Sequence, residues 1–198
     1  IKYAPNGSPL WTNRYDGAAN GDDFARGVAV DTNGNVFVTG DTLRGVGVGL
    51  NDYATLKYSA SGLPLWTNFY NGTGDNSDLA YAIALDGAGN IFVTGLSVGT
   101  AALGEPATLK YSSAGAVLWL SRGEPGSGYS LATDSSGNCF VTDTSFTTIK
   151  YCSGTTPAND SFNNRIMLAG NLVSASGDNN CASKEADEPN HAASNIGG

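Results

Sequence analysis

Short apolar runs mixed with Thr, Lys and Tyr, each stopped by Gly, Asn, Asp or Ser, fill most of this chain. "VAVDTNGNVFVTG" from Val28 and "LKYSASGLPLWTNFY" from Leu56 are typical: two runs of strand length around a glycine-bearing turn. Runs of four to eight residues rich in Val, Ile, Thr and aromatics, bounded by turn residues, predict β-strands. Few stretches carry the three-to-four-residue spacing of a long amphipathic helix.

These phrases recur. "IKYAPNGSPLWTNRY" opens the chain, "LKYSASGLPLWTNFY" follows at Leu56 and "LKYSSAGAVLWLSR" at Leu109, and the same tyrosine phase returns at Tyr3, Tyr58, Tyr111 and Tyr151. Between them stand "VAVDTNGNVFVTG", "IALDGAGNIFVTG" and "LATDSSGNCFVTD". Each full unit therefore predicts four strands: a ("ARGVAVD"), b ("NVFVTG"), c ("ATLKY") and d ("PLWTNFY"). Tyr to Trp is always 8 residues and Asp to Thr is always 8, as expected of a–b and c–d hairpins whose register a tight turn pins. The other connections vary: Thr to the next Tyr spans 19, 17 and 9 residues, and Trp to the next Asp spans 20, 20 and 15. In an up-and-down sheet the fixed turns share one rim and the variable connections the other, where repeat proteins commonly carry binding loops.

The pattern D-x-x-G-N-[VI]-[FY]-V-T-G followed by L-K-Y-x-x-x-G-x-x-L-W resembles the bacterial β-propeller repeat, SBBP, of secreted and surface proteins, across residues 1–152. The resemblance implies an all-β fold, a β-propeller made of four-stranded antiparallel blades. Thirteen expected strands make slightly more than three blades, fewer than the four to eight of closed propellers. Three outcomes remain open: the ring continues in further chain, copies associate as a homo-oligomer or filament, or the N-terminal strands complete a small fourth blade. The first is the favoured expectation, since the chain opens at Ile1 inside a repeat and without a Met, as a piece of a longer polypeptide would. Residues 153–198 read as a linker and then a segment similar to the opening of a β-sandwich-like module of secreted bacterial proteins ("NDSFNNRIMLAG", "KEADEPNHA"), expected to be extended or loosely docked.

Composition changes this picture little. Charged residues are 14% and 27 of 198 are Gly, as suits many strands and turns. A net charge of −8 argues against nucleic acid, whose phosphates need a basic surface. No run approaches the roughly 18 apolar residues of a membrane span. Of the three cysteines, a hairpin around Ser145 and Phe146 would put Cys139 directly opposite Cys152, within disulfide reach; two unrelated small core residues is the equal alternative. A bond would imply an oxidising compartment.

Candidate chemistry is sparse. The acidic d–a connections "YDGAANGDDF" and "YNGTGDNSDL" place Asp22, Asp23, Asp75 and Asp78 on the variable rim as ligand-binding candidates, with oxygen ligands suited to a weak Ca²⁺ site; solvated loop charge is the plainer reading. "DTNGN", "DGAGN" and "DSSGN" share the early Asp and Gly of an EF-hand but lack its twelfth-position Glu, and Asx-type turns explain them. His191 beside Glu185, Asp187 and Glu188 invites a metal or acid–base reading, but a structural turn is simpler, and no second His is available for it. Asn71 and Asn159 stand in glycosylation-type sequons, a match that arises often by chance. Lys2, Lys57, Lys110 and Lys150 share one phase of strand c, which predicts pairing with a carboxylate or seating on a Trp of the adjoining blade; Trp11, Trp66 and Trp119 read as inter-blade packing. The expected function is a non-catalytic extracellular or cell-surface module for adhesion, scaffolding or self-assembly, binding protein or glycan by its variable loops. A carbohydrate-binding propeller, Ca²⁺-assisted or not, is the alternative, and no other cofactor is implied.

Overall fold

A computed structural model describes residues 1–43, 50–100, 104–122, 127–144 and 146–152. The chain divides into two compact units, Ile1–Lys150 and Tyr151–Gly198; of the second only its first two residues are described, so the predicted tail lies outside the described residues.

All described elements are strands. β1 (Lys2–Tyr3) and β2 (Pro9–Trp11) form a two-stranded sheet. β3 (Asp23–Val30), β4 (Val36–Leu43), β5 (Asn51–Tyr58) and β6 (Pro64–Tyr70) form a four-stranded antiparallel sheet in chain order. β7 (Asp78–Leu85), β8 (Ile91–Val98), β9 (Gly104–Tyr111) and β10 (Val117–Arg122) repeat it. β11 (Gly128–Thr133), β12 (Cys139–Asp143) and β13 (Thr148–Tyr151) supply the first three strands of a third. These are phases a to d, in the order the repeat predicts.

The turns follow from residue chemistry. Asp31, Asp86 and Asp134 each fold a carboxylate back over their own turn: Asp86 Oδ1 accepts from the Ala88 and Asn90 N–H groups and Oδ2 from the Asn90 amide at 2.8 Å. The glycine two residues before strand b takes positive φ, 77° at Gly34 and 78° at Gly89, where a side chain would be strained. The acid dependence follows. Burial alone would raise Asp86, but the Asn90 side chain and N–H, the Lys110 ammonium and the Ala88 N–H outweigh it and hold the carboxyl below its ordinary value; Asp31 and Asp134 are held low by the same turn geometry. A depressed folded pKa contributes stability that is present above the unfolded value of about 4 and lost as pH falls through the folded one. The urea midpoint should therefore drop between neutral pH and about pH 3, and Asp86→Ala should flatten that limb.

In the two complete sheets strands b and c lie within the stack, largely buried on both faces, whereas outer strand β6 alternates between exposed and half-buried. The hydroxyls of paired threonines at the centre satisfy each other, Thr39 with Thr55 at 3.2 Å and Thr94 with Thr108 at 2.9 Å, so burying them carries no unpaired polar group. The main core lies between the two complete sheets. Phe37, Tyr53, Trp66 and Tyr70 of the first meet Ala80, Ile83, Leu85, Ile91, Val93, Ala107, Leu109 and Tyr111 of the second.

At two successive junctions Lys, Trp and Asn of strands c and d fasten one sheet to the next. Trp11 Nε1 and Lys2 Nζ each donate to the Ala60 carbonyl at 3.1 Å, and Asn13 Nδ2 donates to Gly62. One repeat later Trp66 Nε1 and Lys57 Nζ donate to Ser113 and Asn68 Nδ2 to Gly115, while the Trp66 ring packs between Phe37 and Tyr111. Trp11 and Trp66 are thus the expected inter-blade packing, whereas Trp119 meets Phe92 of its own sheet. The lysine expectation needs one correction: the ammonium lies over a phenylalanine of its own sheet, not an adjoining tryptophan, at 5.1 Å for Lys57 over Phe37 and 4.7 Å for Lys110 over Phe92. The tryptophan of strand d is itself occupied with the neighbouring turn, and the strand-b ring is the aromatic face left beside the lysine. Lys110 also meets Asp86 at 3.5 Å, the carboxylate pairing that was expected.

Candidate functional site

Fixed and variable connections separate onto opposite rims. The a–b and c–d turns touch, a Cβ at Gly34 falling 3.3 Å from Ala60. At the other rim Asn76 of a d–a loop donates to the Gly99 carbonyl beyond β8. At this rim stand the four aspartates singled out from sequence, and the structure divides them. Asp23 accepts from the Thr42 hydroxyl and, at 2.8 Å, from the Gly17 N–H. Asp78, fully buried, accepts from the Gly72 N–H at 2.7 Å. Both carboxylates close the d–a loop onto its own sheet. Asp22 and Asp75 are exposed on the loops, and Asp75 accepts from Asn71 Nδ2. Among the described residues no three His, Cys, Asp or Glu side chains gather closely enough to hold a metal ion.

Of the two cysteine readings the sequence leaves open, the Cys139–Cys152 bond is overturned. Cys139 is a free, buried thiol and Cys152 is disulfide-bonded, so the two are not joined to each other. The reason is register. Asp143 N–H donates to Thr147 O and Thr147 N–H to Asp143 Oδ1, closing the hairpin with residue 143 across from 147, and the Lys150 ammonium lies 6.0 Å from the Phe140 ring. Pairing is one residue out of step with the assumed turn, and one step sends a side chain to the opposite face. Burial pushes the Cys139 thiol up to about 12.

A row of residues that sequence reading passed over lines up across three sheets. In each strand a the pairing with strand b slips by one residue, between Ala25 and Gly27, between Ala80 and Ala82, and between Gly128 and Ser130. The extra residue of each bulge is Arg26, Tyr81 or Tyr129. Bulges re-aim side chains, and here three consecutive sheets aim theirs along one line near the variable rim: the Arg26 guanidinium lies 5.4 Å from the Tyr81 ring, and the Tyr81 and Tyr129 rings are 5.1 Å apart. The line follows the innermost edge of the stack, where β7 packs between β3 and β11. Arg26 is held by Asp41, whose buried carboxylate also accepts from Asn51 at 2.7 Å. Burial and the adjacent Tyr129 push the Tyr81 phenol above its usual range, against the opposing pull of the Arg26 guanidinium. Tyr129 is 58% exposed.

A cavity of about 820 Å³ opens beside this row, between β1–β2 and the first full sheet. Its floor includes Val28 and Val30, 67% and 59% exposed, where their counterparts Ile83 and Leu85 are packed against a complete neighbouring sheet.

Stacked four-stranded antiparallel sheets joined by repeat-to-repeat clasps define a protein built of β-propeller blades. Residues 14–43, the passage from the end of one strand d through strands a and b, match the model of the beta-propeller repeat family, SBBP. That match covers one repeat of the chain. No curated protein matches it. No described helix is long and apolar enough to cross a membrane.

Proposed function

We propose that the chain is a non-catalytic propeller module of a bacterial secreted or surface protein, serving adhesion, scaffolding or self-assembly, with its partner held at the rim of variable connections. The separation of rims carries this reading: length changes are confined to one side of a scaffold whose other side is pinned by repeated Asx turns and clasps. Asp23 and Asp78 are engaged in closing loops, which supports a binding role over acid–base work. The disulfide at Cys152 supports an oxidising compartment.

A glycan partner is the second reading, favoured by the bulge row. Arg and Tyr side chains are enriched where binding energy concentrates, and a pyranose stacks on an exposed ring face while a guanidinium donates to its hydroxyls. The test is a glycan array probed with and without a calcium chelator, using the unaltered protein and Tyr129→Ala. Binding that weakens about tenfold or more in the variant supports the glycan reading, whereas no binding across a broad array counts against it. Concentration-dependent light scattering then supports self-assembly, and a monomer that captures neither glycan nor protein defeats the proposal.

A further inference from the structure

We propose that Asn20 is a spontaneous modification site, losing its side-chain amide to leave aspartate or isoaspartate on the variable rim. The chain has four Asn–Gly steps, at 6–7, 20–21, 33–34 and 71–72. In such a step the glycine nitrogen attacks the asparagine Cγ. The N–Cγ bond forms, the Cγ–NH₂ bond breaks, and ammonia leaves with the proton that the glycine nitrogen gives up. Water then opens the resulting five-membered imide at either carbonyl, giving aspartate or isoaspartate. Water is the only co-reactant.

Three of the four steps are tied down. Gly7 N–H donates to Ala4 O at 2.9 Å, and Asn6 Oδ1 accepts from Ser8 N–H at 3.1 Å. Gly34 N–H donates to Asp31 O at 3.0 Å. Gly72 N–H donates to Asp78 Oδ2 and the Asn71 amide to Asp75 Oδ1, both at 2.7 Å. At 20–21 neither reacting group is engaged: among the described residues Gly21 N–H and the Asn20 amide have no hydrogen-bond partner, and Asn20 is exposed. Only the Asn20 N–H is used, donating to Gly17 O at 3.0 Å and shaping the turn.

The neighbouring repeat shows that the loop accepts the product. Asn20 and Asp75 occupy the same phase and both adopt φ 49°, so an aspartate at position 20 reproduces a residue the second loop already carries. Conversion adds a negative charge beside Asp22 and Asp23, and the isoaspartate branch also adds a methylene to the loop backbone.

The test is peptide mapping by mass spectrometry of the full chain aged in mildly alkaline buffer at physiological temperature, folded and in urea. In the folded protein Asn20 should convert about tenfold faster or more than Asn6, Asn33 and Asn71, since those steps require local opening first; in urea the four rates should converge. Asn20→Ser should abolish the acidic species that ion exchange resolves on ageing. Conversion led by any other step in the folded protein, or acidic species that persist in Asn20→Ser, would overturn the proposal.

Discussion

Replacing Gly95 with alanine is expected to lower stability by about 3 kcal/mol, read as a fall in the urea midpoint. Gly95 sits opposite Ala80, next to the bulge at Tyr81. A Cβ there would run into the Leu79 carbonyl oxygen and meet the Tyr53 hydroxyl at 2.7 Å. Because the obstacle is backbone, a side-chain rotation cannot relieve it. Gly40 stands in the same place against the Phe24 carbonyl, so the glycine of the "VTG" phrase exists to admit the bulge. In the third sheet Asp143 takes that phase and the glycine crosses to its partner strand, Gly128 facing Asp143. Gly87→Ala is the control. Nothing lies within 4 Å of the added atom, and stability should be unchanged or higher by about 0.5 kcal/mol. Equal effects at both positions would show that the bulge does not dictate the glycine.

Tyr53→Ala should cost about 4 kcal/mol, and Tyr53→Phe only about 1 kcal/mol. Tyr53 is fully buried between the complete sheets, edge-on to Tyr70 at 5.2 Å, and donates to the Ala107 carbonyl of the next sheet at 3.2 Å. Truncation leaves a void at the principal inter-sheet contact, whereas phenylalanine keeps the packing and forfeits one hydrogen bond. Burial, reinforced by Tyr70 and Asp78, holds the phenol well above its usual range. The contribution of this neutral phenol is full below the unfolded value of about 10 and declines as pH rises towards the folded one, so alkaline unfolding should begin there. Urea titrations of the three proteins at neutral and alkaline pH check both statements; a Phe variant as unstable as the Ala variant would shift the weight from packing to the hydrogen bond.

Much of this architecture was legible because the repeat states it three times. Paired strands and turn positions follow from the invariant Tyr–Trp and Asp–Thr spacings, and the drifting spacings identify the variable rim before any coordinate is known. The cysteine register was not legible: it depended on which residues close one short turn, and a single-residue error there reverses the face of every side chain beyond it. The bulge row was hidden for another reason. Its members are Arg26, Tyr81 and Tyr129, unlike residues that form no motif, and a bulge adds no residue that periodicity can flag without the partner strand. The available signal was indirect, in the glycine after "VT" that faces the distorted strand. The acidic loops misled in the opposite direction. Asp23 and Asp78 look like free ligands along the chain, but in three dimensions their carboxylates meet the N–H groups of Gly17 and Gly72, a contact across six residues of irregular loop that no strand pattern encodes.

Sheet-to-sheet stacking by the Lys–Trp–Asn clasp is the claim on which the rims, the core and the bulge row all depend, and nuclear Overhauser contacts of the indole N–H protons measure it directly. The Trp11 indole proton should show cross-peaks to Ala60 and Ser61, and that of Trp66 to Ser113 and Ala114, each in the turn of the following sheet. Cross-peaks confined to each tryptophan's own hairpin would contradict the stacking.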